Sequence, residues 1–456
     1  MTTDHATTTA ETTLVPRLNL PSIVVFGLAY MAPGVVVSTF GIIAVTSHGA
    51  APTAYLVATI AMTLTALSYG KMAHAYPQSG SVYTYARKLL DSRIGFLAGW
   101  AILLDYFFLP MVAWLIQSLY MNVQFHILPV WGWLIVNIAA TTVVNIFGIV
   151  LADRVNKVLL VLALIGLAAL IVVCLHFISS APGGGGGQAL WNPVTSVGAI
   201  TSAAAIAAYS FLGFDAISTL SEEVHNPRRT VPRGILLTVL IGGAIFFVLA
   251  LLLQWVHPGS TFTDESTAGF AVAIEAGGKH FAEVLNVVGL LGGFASCVAI
   301  QASTSRLMYV MGRDGVLPQR TFGYLHPRYR TPIFNLLLIA VVAMAALKLS
   351  LAEATSFINF GAFLAFTLVN ICVIAFFIRQ RKTGAAMNPF TYIVLPVAGA
   401  AVDIYLMTQL SHKAILLGVS WLVLGIIYLL VLTRGLSKPP PELHLQENAT
   451  EPAHSE

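Results

Sequence analysis

The stretch Gly27-Leu28-Ala29-Tyr30-Met31-Ala32-Pro33-Gly34 interrupts the first long apolar run of this 456-residue chain. Pro33 has no N–H to donate to a helix, and the flanking glycines tolerate backbone angles that other residues avoid. A second interruption, Tyr209-Ser210-Phe211-Leu212-Gly213-Phe214-Asp215, falls in the sixth apolar run. Both stretches predict helices that are broken midway. The alternative is a pair of ordinary kinked helices, since Gly and Pro are common in membrane spans.

The sequence around these stretches is typical of a membrane protein. Hydrophobic residues make up 57% of the chain and charged residues only 9%, with a mean hydropathy of +0.83. Soluble proteins carry about 25% charged residues, so a soluble multi-domain enzyme is excluded. Twelve runs of about 20 apolar residues are each long enough to cross a bilayer as a helix. They cover 21–47, 52–70, 94–124, 131–152, 158–178, 194–221, 234–256, 284–305, 331–347, 354–378, 389–410 and 414–433.

The basic residues orient these predicted spans. When the spans alternate in direction from an inner start, 20 of the 23 Lys and Arg residues fall on one side. Because cytoplasmic loops carry an excess of Lys and Arg, we expect both termini to be cytoplasmic. We also expect disordered termini at 1–20 and 434–456, and a single transmembrane domain from 21 to 433.

The two interrupted spans are the first and the sixth, which lie five apart. Five is odd, so a second copy of a five-helix unit would be inverted, and paired breaks are typical of inverted-repeat transporters. The predicted fold is an all-α polytopic membrane protein with twelve transmembrane helices and discontinuous helices 1 and 6. Repeat one covers about 21–178 and repeat two about 194–378. Two further C-terminal helices cover 389–433.

Three charged side chains fall inside the predicted spans, and all are acids: Asp105, Asp215 and Asp403. No Lys or Arg lies in a span interior to neutralise them, and a carboxylate at the bilayer centre costs at least about 2.5–3.5 kcal/mol. We expect Asp105 and Asp215 to face a water-filled path and to bind a cation or a proton. Asp403 comes late in its span, so we expect it near the outer interface. The alternative for each acid is a neutral carboxyl hydrogen-bonded to nearby backbone.

Aromatic residues stand beside these acids and breaks. Tyr30, Tyr106 and Tyr209 present ring faces that attract cations, or they close the path as gates; the alternative is packing. Carbonyls freed by the breaks suit an ammonium group, and half-helix N-termini suit a carboxylate. The predicted substrate is therefore an amine, an acid or a molecule with both groups.

Several motifs resemble a known family. Gly213-Phe214-Asp215, Leu220-Ser221-Glu222-Glu223 and Asn226-Pro227-Arg228-Arg229 are similar to those of the amino acid–polyamine–organocation (APC) transporter superfamily. Leu103-Leu104-Asp105-Tyr106 and Ile358-Asn359-Phe360-Gly361 extend the resemblance, which is strongest to the bacterial putrescine importers. It covers about residues 20–433.

The resemblance implies a LeuT-like fold of two inverted five-helix repeats plus two helices, in the bacterial cytoplasmic (inner) membrane. It implies a substrate site between broken helices 1 and 6, and import driven by protons. Tyr209 then matches a gating aromatic, and Asp215 an acid near the substrate amine. Ala32, Pro33, Gly34 and Gly213 match the unwound segments.

Two positions depart from the putrescine importers. Gly34 stands where they carry Met, and Ser38 stands where they carry Asp. The lost acid weakens the case for a dication. A glycine in the loop resembles the amino acid transporters, whose backbone N–H groups receive a substrate carboxylate. An amino acid permease of the same superfamily is therefore the alternative to an amine importer.

Charged residues close to the inner ends of the spans form a further candidate group. Glu222, Glu223 and Arg228, together with Asp215, are predicted to act in gating or coupling; the alternative is ordinary positive-inside charge with weak local pairing. The three cysteines lie in apolar runs and predict no disulfide and no metal site. We expect an amine or amino acid substrate, protons and membrane lipid as partners, with no cofactor, no nucleic acid and no enzymatic activity. The sequence leaves the oligomeric state open.

Overall fold

The computed structural model describes residues 18–77, 81–147, 153–180, 186–329, 331–384 and 387–441. The predicted terminal segments therefore lie partly outside the described residues. Within these ranges the regular structure is helical. In chain order the α-helices are α1 (Leu20–Met31), α2 (Val35–Thr46), α3 (Ala51–Ala75), α4 (Ser81–Leu89), α5 (Ser92–Gln124), α6 (Val130–Ile146), α7 (Asp153–Ser180), α8 (Val197–Ala207), α9 (Pro227–Val256), α10 (Ala268–Arg313), α11 (Gln319–Phe322), α12 (Ile333–Ala343), α13 (Leu351–Lys382), α14 (Leu395–Thr408) and α15 (His412–Leu432).

The helices confirm a polytopic membrane protein. Of the described helices, nine are long and apolar enough to cross a membrane, and the bent pair α1 and α2 makes ten if it forms one span. Two shorter apolar helical segments, Val130–Ile146 and Ile333–Lys348, complete the predicted twelve if both cross. The number of crossings beyond ten stays a prediction.

The structure adds two helical segments that the apolar runs do not predict. The short helix α4 lies between α3 and α5 and buries Val82, Tyr85 and Leu89. The first part of α10 is separated from the rest by Gly278, which has φ of +80°. Both segments are less continuously apolar than the spans, so a count of long apolar runs passes over them.

Basic residues gather at the end of the bundle where α1, α5 and α9 begin and where α3 and α13 finish. We call this the basic end. Nδ1 of His74 lies 2.7 Å from the carbonyl of Arg228, and Arg379 donates to the carbonyl of Lys88 at 2.8 Å. The loops that the charge pattern assigns to one side of the membrane therefore lie at one end of the molecule.

A short backbone bridge also closes over the basic end. The N–H of Leu18 donates to the carbonyl of Glu223 at 2.9 Å, and the N–H of His225 donates to the carbonyl of Leu18 at 3.0 Å. The chain just before α1 is thereby paired with the chain that follows the sixth span.

Two groups of helices surround the broken spans. α3 packs on α8 and α9, and α1 packs on α9, whereas α5 packs on α10 and α13. Buried amides join the second group: Asn145 donates to Gln301 at 2.9 Å, and Gln117 donates to the carbonyl of Leu290 at 2.7 Å. Hydrogen bonds between amide side chains and neighbouring helices hold helices together in an apolar surrounding.

The last helix, α15, docks on α5 through a pair of tryptophans. The rings of Trp100 and Trp421 are stacked with centroids 4.9 Å apart. Each indole N–H donates to the carbonyl of the other residue, at 2.9 and 3.0 Å. This reciprocal pair fixes the position of α15 outside the helices that surround the breaks.

Candidate functional site

The break in the first span lies between α1 and α2, which are bent by 53° relative to each other. Ala32 ends α1 in a left-handed conformation with φ of 46°, which is uncommon for a residue with a side chain. Pro33 accounts for the departure from helix, because a proline disfavours the α conformation of the residue before it. The helix resumes at Val35.

Backbone groups at this break are left without partners among the described residues. The N–H groups of Gly34 and Val36 make no hydrogen bond there, and neither do the carbonyls of Tyr30 and Met31. Ala32 and Gly34 are also exposed. In a dry membrane interior such groups need a partner, so the break offers both donors and acceptors to a bound molecule.

The sixth span is irregular over a longer stretch. α8 gives way to a 3-10 turn at Ala208–Phe211, and a second 3-10 segment covers Asp215–Glu223. Between them Gly213 has φ of +106°, a conformation that favours glycine. A Cβ atom at Gly213 would lie 2.0 Å from Cδ1 of Tyr30. The Tyr30 ring therefore rests on the Gly213 backbone and brings the two breaks together.

Two acids from different spans lie near each other at this point. Asp105 from α5 and Asp215 from the sixth span are close enough to interact electrostatically. One oxygen of Asp105 is buried without a hydrogen bond to the described residues. The Asp215 carboxylate faces the backbone N–H groups of Gly213 and Ala216. Among the described groups that act on these acids there is no basic side chain. If the acids ionise, no cation among the described residues balances their charge.

Three tyrosines surround the acids. The hydroxyls of Tyr30 and Tyr106 are within hydrogen-bonding reach of each other. Tyr209 is close enough to Asp105 for an electrostatic interaction, and the carbonyl of Tyr106 accepts a hydrogen bond from Thr304 of α10 at 2.7 Å. Tyr30, Tyr106, Tyr209, Asp105 and Asp215 thus come together from three different spans. Their roles stay predictions.

Ser38 lies apart from this group. It follows the break by one turn of α2, beside the hydroxyl of Tyr120. Two tyrosines that sequence reasoning missed contact the sixth span: Tyr69 interacts electrostatically with Asp215, and the Tyr55 hydroxyl lies 3.2 Å from the hydroxyl of Ser210. Both tyrosines stand close to the ends of the predicted run 52–70, where membrane tyrosines concentrate, so nothing in the sequence set them apart.

Close helix packing seals the site towards the end opposite the basic end. A Cβ atom on Gly41 would lie 2.1 Å from the carbonyl of Glu265, and one on Gly269 would lie 2.0 Å from the carbonyl of Val37. α2 is therefore in tight contact with the start of α10 at the end opposite the basic end. On the other side of the break Tyr30 is 36% exposed.

The predicted gate residues lie at the basic end, and the structure gives them backbone contacts. The carbonyl of Glu223 accepts from Leu18, and the carbonyl of Arg228 lies against His74. The side chain of Glu222 lies outside the described part of the chain. A gating role for the three residues stays a prediction.

The expectation for Asp403 is wrong. Asp403 is fully buried and does not lie at an exposed outer interface. Its Oδ2 accepts hydrogen bonds from Thr65 at 2.8 Å and from Asn370 at 3.0 Å. Both partners stand in the middle of their helices, α3 and α13, which cover this face of α14. A position counted along one span does not show which neighbouring helices surround it.

Comparison with known proteins agrees with this arrangement. The amino acid permease family model matches residues 22–436. The low-affinity putrescine importer PlaP of Escherichia coli (strain K12) is 37% identical over 439 residues, which are 95% of this chain and 97% of PlaP. The branched-chain amino acid permease BcaP of Bacillus subtilis (strain 168) is 25% identical over 95% of this chain and 96% of BcaP. The methylthioribose transporter of the same organism is 27% identical over 89% of this chain and 92% of that protein.

These matches cover most of the chain, and the family match over residues 22–436 includes both broken spans and the three acids Asp105, Asp215 and Asp403. They confirm the predicted superfamily, whose members here are transporters and not enzymes. The chain therefore belongs to the amino acid permease family of the APC superfamily of membrane transporters.

Proposed function

We propose that this transporter imports a small organic cation, with putrescine as the leading candidate, by alternating access between the two sides of the membrane. The observation that carries the proposal is the uncompensated pair Asp105 and Asp215. Two carboxylates without a basic partner among the described residues require a cation, and a diamine brings one ammonium group for each. The resemblance to a low-affinity putrescine importer over 95% of the chain supports the same substrate class.

The surroundings of the acids suit an amine in two further ways. The tyrosine rings shield an ammonium group from water and attract it through their faces. The free carbonyls of Tyr30 and Met31 accept additional N–H bonds from it. The partial exposure of Tyr30 offers the substrate an approach to the site.

We propose that a proton gradient drives import. When no amine is bound, two acids that face each other in a partly buried site favour holding a proton, because like charges this close oppose a second ionisation. A bound ammonium group replaces that proton. Asp215 is the proposed coupling residue, because it also accepts from the backbone at the break.

We propose the membrane arrangement that the sequence predicts: twelve crossings, two inverted repeats and two cytoplasmic termini in the bacterial inner membrane. The breaks in the first and the sixth span support the repeat. The gathering of basic residues at one end supports the orientation.

The second candidate is an amino acid permease. It is favoured by the unpaired N–H groups of Gly34 and Val36, which suit a substrate carboxylate, and by the relationship to the branched-chain amino acid permease BcaP. Under this proposal one acid of the pair Asp105 and Asp215 binds the α-amino group of the substrate, and the other binds and releases a proton.

Ligand-induced thermal stabilisation of the detergent-purified protein separates the two candidates. We would compare putrescine, 1-aminobutane, leucine and arginine, because a ligand at 100 times its Kd stabilises by about 2.7 kcal/mol. Putrescine alone, or putrescine with a weaker effect of 1-aminobutane, is expected for the amine importer. Stabilisation by an amino acid without putrescine would assign the permease.

Asp105→Asn and Asp215→Asn then test the pair. Each removes a charge-assisted hydrogen bond of about 1.5–3 kcal/mol, which weakens putrescine binding about 10- to 150-fold. Asp105→Asn should bind putrescine no better than 1-aminobutane, because one ammonium group has lost its partner. Glu283→Gln is the matched control and should bind like the parent protein, because among the described residues this acid pairs with Lys279 and His280. Unchanged putrescine binding in both Asp variants contradicts the assignment.

A further inference from the structure

A second buried carboxyl lies away from the substrate site, between α3, α13 and α14. Asp403 is 0% exposed. Its Oδ2 accepts from the Thr65 hydroxyl and from the Asn370 amide. Its Oδ1 is buried and makes no hydrogen bond with the described residues. One oxygen of the carboxyl is thus held by two donors while the other has none.

The groups around Asp403 form a built polar site. The Asn370 amide nitrogen also reaches the Thr65 hydroxyl at 3.3 Å, and the Asn370 Oδ1 accepts from Ser68 at 2.6 Å. A Cβ atom on Gly399 would lie 2.7 Å from the Asn370 Oδ1. The absence of a side chain at Gly399 lets α14 approach α13 closely enough for these contacts.

No charge of opposite sign balances Asp403 among the described residues. On α3, Lys71 turns to the carbonyl of Thr391 and to the Tyr392 ring at the basic end. On α13, Arg379 bonds the carbonyl of Lys88. α8 carries no ionisable side chain. The ionisable group that faces Asp403 is the Tyr69 hydroxyl from α3.

The free-energy cost of burying an unpaired carboxylate is far larger than the gain from two hydrogen bonds with neutral groups. Addition of a proton removes this cost, and the free Oδ1 is the atom at which the new O–H bond forms. A sodium ion would need several oxygen ligands, whereas here an amide nitrogen occupies one side of the carboxyl. The surroundings therefore favour a proton.

Tyr69 connects this carboxyl to the substrate site. It follows Ser68 directly on α3 and is fully buried. Its hydroxyl is close enough to interact electrostatically with both Asp403 and Asp215, and its ring packs edge-on against Phe214, with centroids 5.6 Å apart. Phe214 stands next to Asp215 in the irregular sixth span. A change of charge at Asp403 thus acts on the residues that hold Asp215.

We propose that Asp403 is a second proton-binding site, separate from the substrate site, which binds and releases a proton in each transport cycle. A proton adds to Oδ1 from water on the entry side, and the same O–H bond breaks when the proton leaves on the other side; no other bond changes. The site lies where α14 meets α3 and α13, so its protonation alters the contact between these helices. This proposal goes beyond the choice of substrate and does not depend on which amine or amino acid is carried.

The first test detects the proton directly and needs no substrate. The variant Asp105→Asn/Asp215→Asn keeps Asp403 as the remaining acid in the interior of the described spans. The infrared C=O stretch of a protonated carboxylic acid is recorded at neutral pH and again at high pH. We expect the band at neutral pH and its loss when the pH rises. Absence of the band at neutral pH overturns the proposal, whether or not the substrate assignment stands.

The second test asks whether protonation of Asp403 is coupled to substrate uptake. Asp403→Asn keeps the shape of a protonated carboxyl and cannot ionise, and Glu283→Gln serves as the matched control. In proteoliposomes, uptake of a substrate found by thermal stabilisation is measured with and without an imposed inward proton gradient. In Asp403→Asn the stimulation by the gradient should fall at least about fivefold, the lower end of typical coupling between two sites, while ligand-induced stabilisation is kept. Undiminished stimulation, or stimulation that depends on sodium instead of protons, overturns the proposal.

If Asp403→Asn fails to fold, Thr65→Val tests the same site by removing one donor to Oδ2. Loss of that donor favours the neutral acid, so the carboxylic acid band should persist to higher pH than in the parent protein. A band that disappears at an unchanged pH contradicts the assignment of the proton to Asp403.

Discussion

Gly213 is the position where one added methyl group should uncouple the two broken helices. Its φ of +106° and the contact with Tyr30 both require a residue without a Cβ atom. Gly34 offers a matched control, because it stands at the other break with φ of −64° and ψ of −15°, and a Cβ atom there meets nothing within 4 Å. The pair Gly213→Ala and Gly34→Ala therefore makes the same chemical change at two breaks with opposite structural demands.

Two effects set the expected loss of stability and of substrate binding in Gly213→Ala. Left-handed backbone costs an alanine about 1–2 kcal/mol, which lowers the stability of the substrate-free protein. The new Cβ would lie 2.0 Å from Tyr30 Cδ1, whereas carbon atoms pack at about 3.5–4.0 Å, so the Tyr30 ring must withdraw. That shift removes the Tyr30 hydroxyl from Tyr106 and from the acids, and a misplacement of about 1 Å can cost about 100-fold in activity.

We expect Gly213→Ala to weaken substrate binding at least about tenfold, and Gly34→Ala to change it less than about twofold because its N–H is retained. In a thermal-shift titration at 100 times the parent Kd, stabilisation should fall from about 2.7 to about 1.4 kcal/mol in Gly213→Ala. Uptake in proteoliposomes should fall in parallel. Equal behaviour of the two variants, or normal binding in Gly213→Ala, would refute the view that Tyr30 on Gly213 joins the two breaks.

Two further changes test other contacts. Trp421→Phe removes the N–H that donates to Trp100 and leaves a carbonyl unpaired in an apolar surrounding, so the free energy of unfolding should fall by about 1–3 kcal/mol in a thermal melt without ligand; an unchanged melt would show that the tryptophan pair does not hold α15. Gly269→Ala places a methyl group against the carbonyl of Val37 and should open the sealed end, which Ser38→Cys reports as faster labelling by a membrane-impermeant thiol reagent. Slower or unchanged labelling would contradict the sealing role of that contact.

The positions of both breaks could be predicted from the sequence because they depend on local backbone chemistry. Pro33 removes a backbone donor and disfavours the helical conformation of the residue before it, and Gly213, two residues before an acid, disfavours a regular helix. Pro110 and Pro232 stand inside α5 and α9, so the flanking glycines matter as well as the proline. The residue that takes the left-handed conformation is Ala32 rather than a glycine. A proline restricts its predecessor, but whether that predecessor becomes extended or left-handed depends on the neighbouring helices.

The acids show the limit of prediction from one chain. The grouping of Asp105 with Asp215 could be predicted, because charged side chains are rare inside the predicted spans and both acids stand beside aromatic residues. The surroundings of Asp403 could not, because they depend on Thr65 and Asn370, which stand 338 and 33 residues away. Tyr69 was missed for the same reason: its role depends on two carboxyls contributed by distant segments.

The bridge between Leu18 and the chain after the sixth span has a mechanical consequence. Leu18, two residues before α1, makes two backbone hydrogen bonds to Glu223 and His225. While these bonds hold, α1 does not tilt away from the bundle alone. The bridge couples the two broken spans at the basic end. Either its two hydrogen bonds break, or the halves of both spans at that end move together. We therefore expect the two half-helices to move together if the basic end opens, unless the two backbone hydrogen bonds break first.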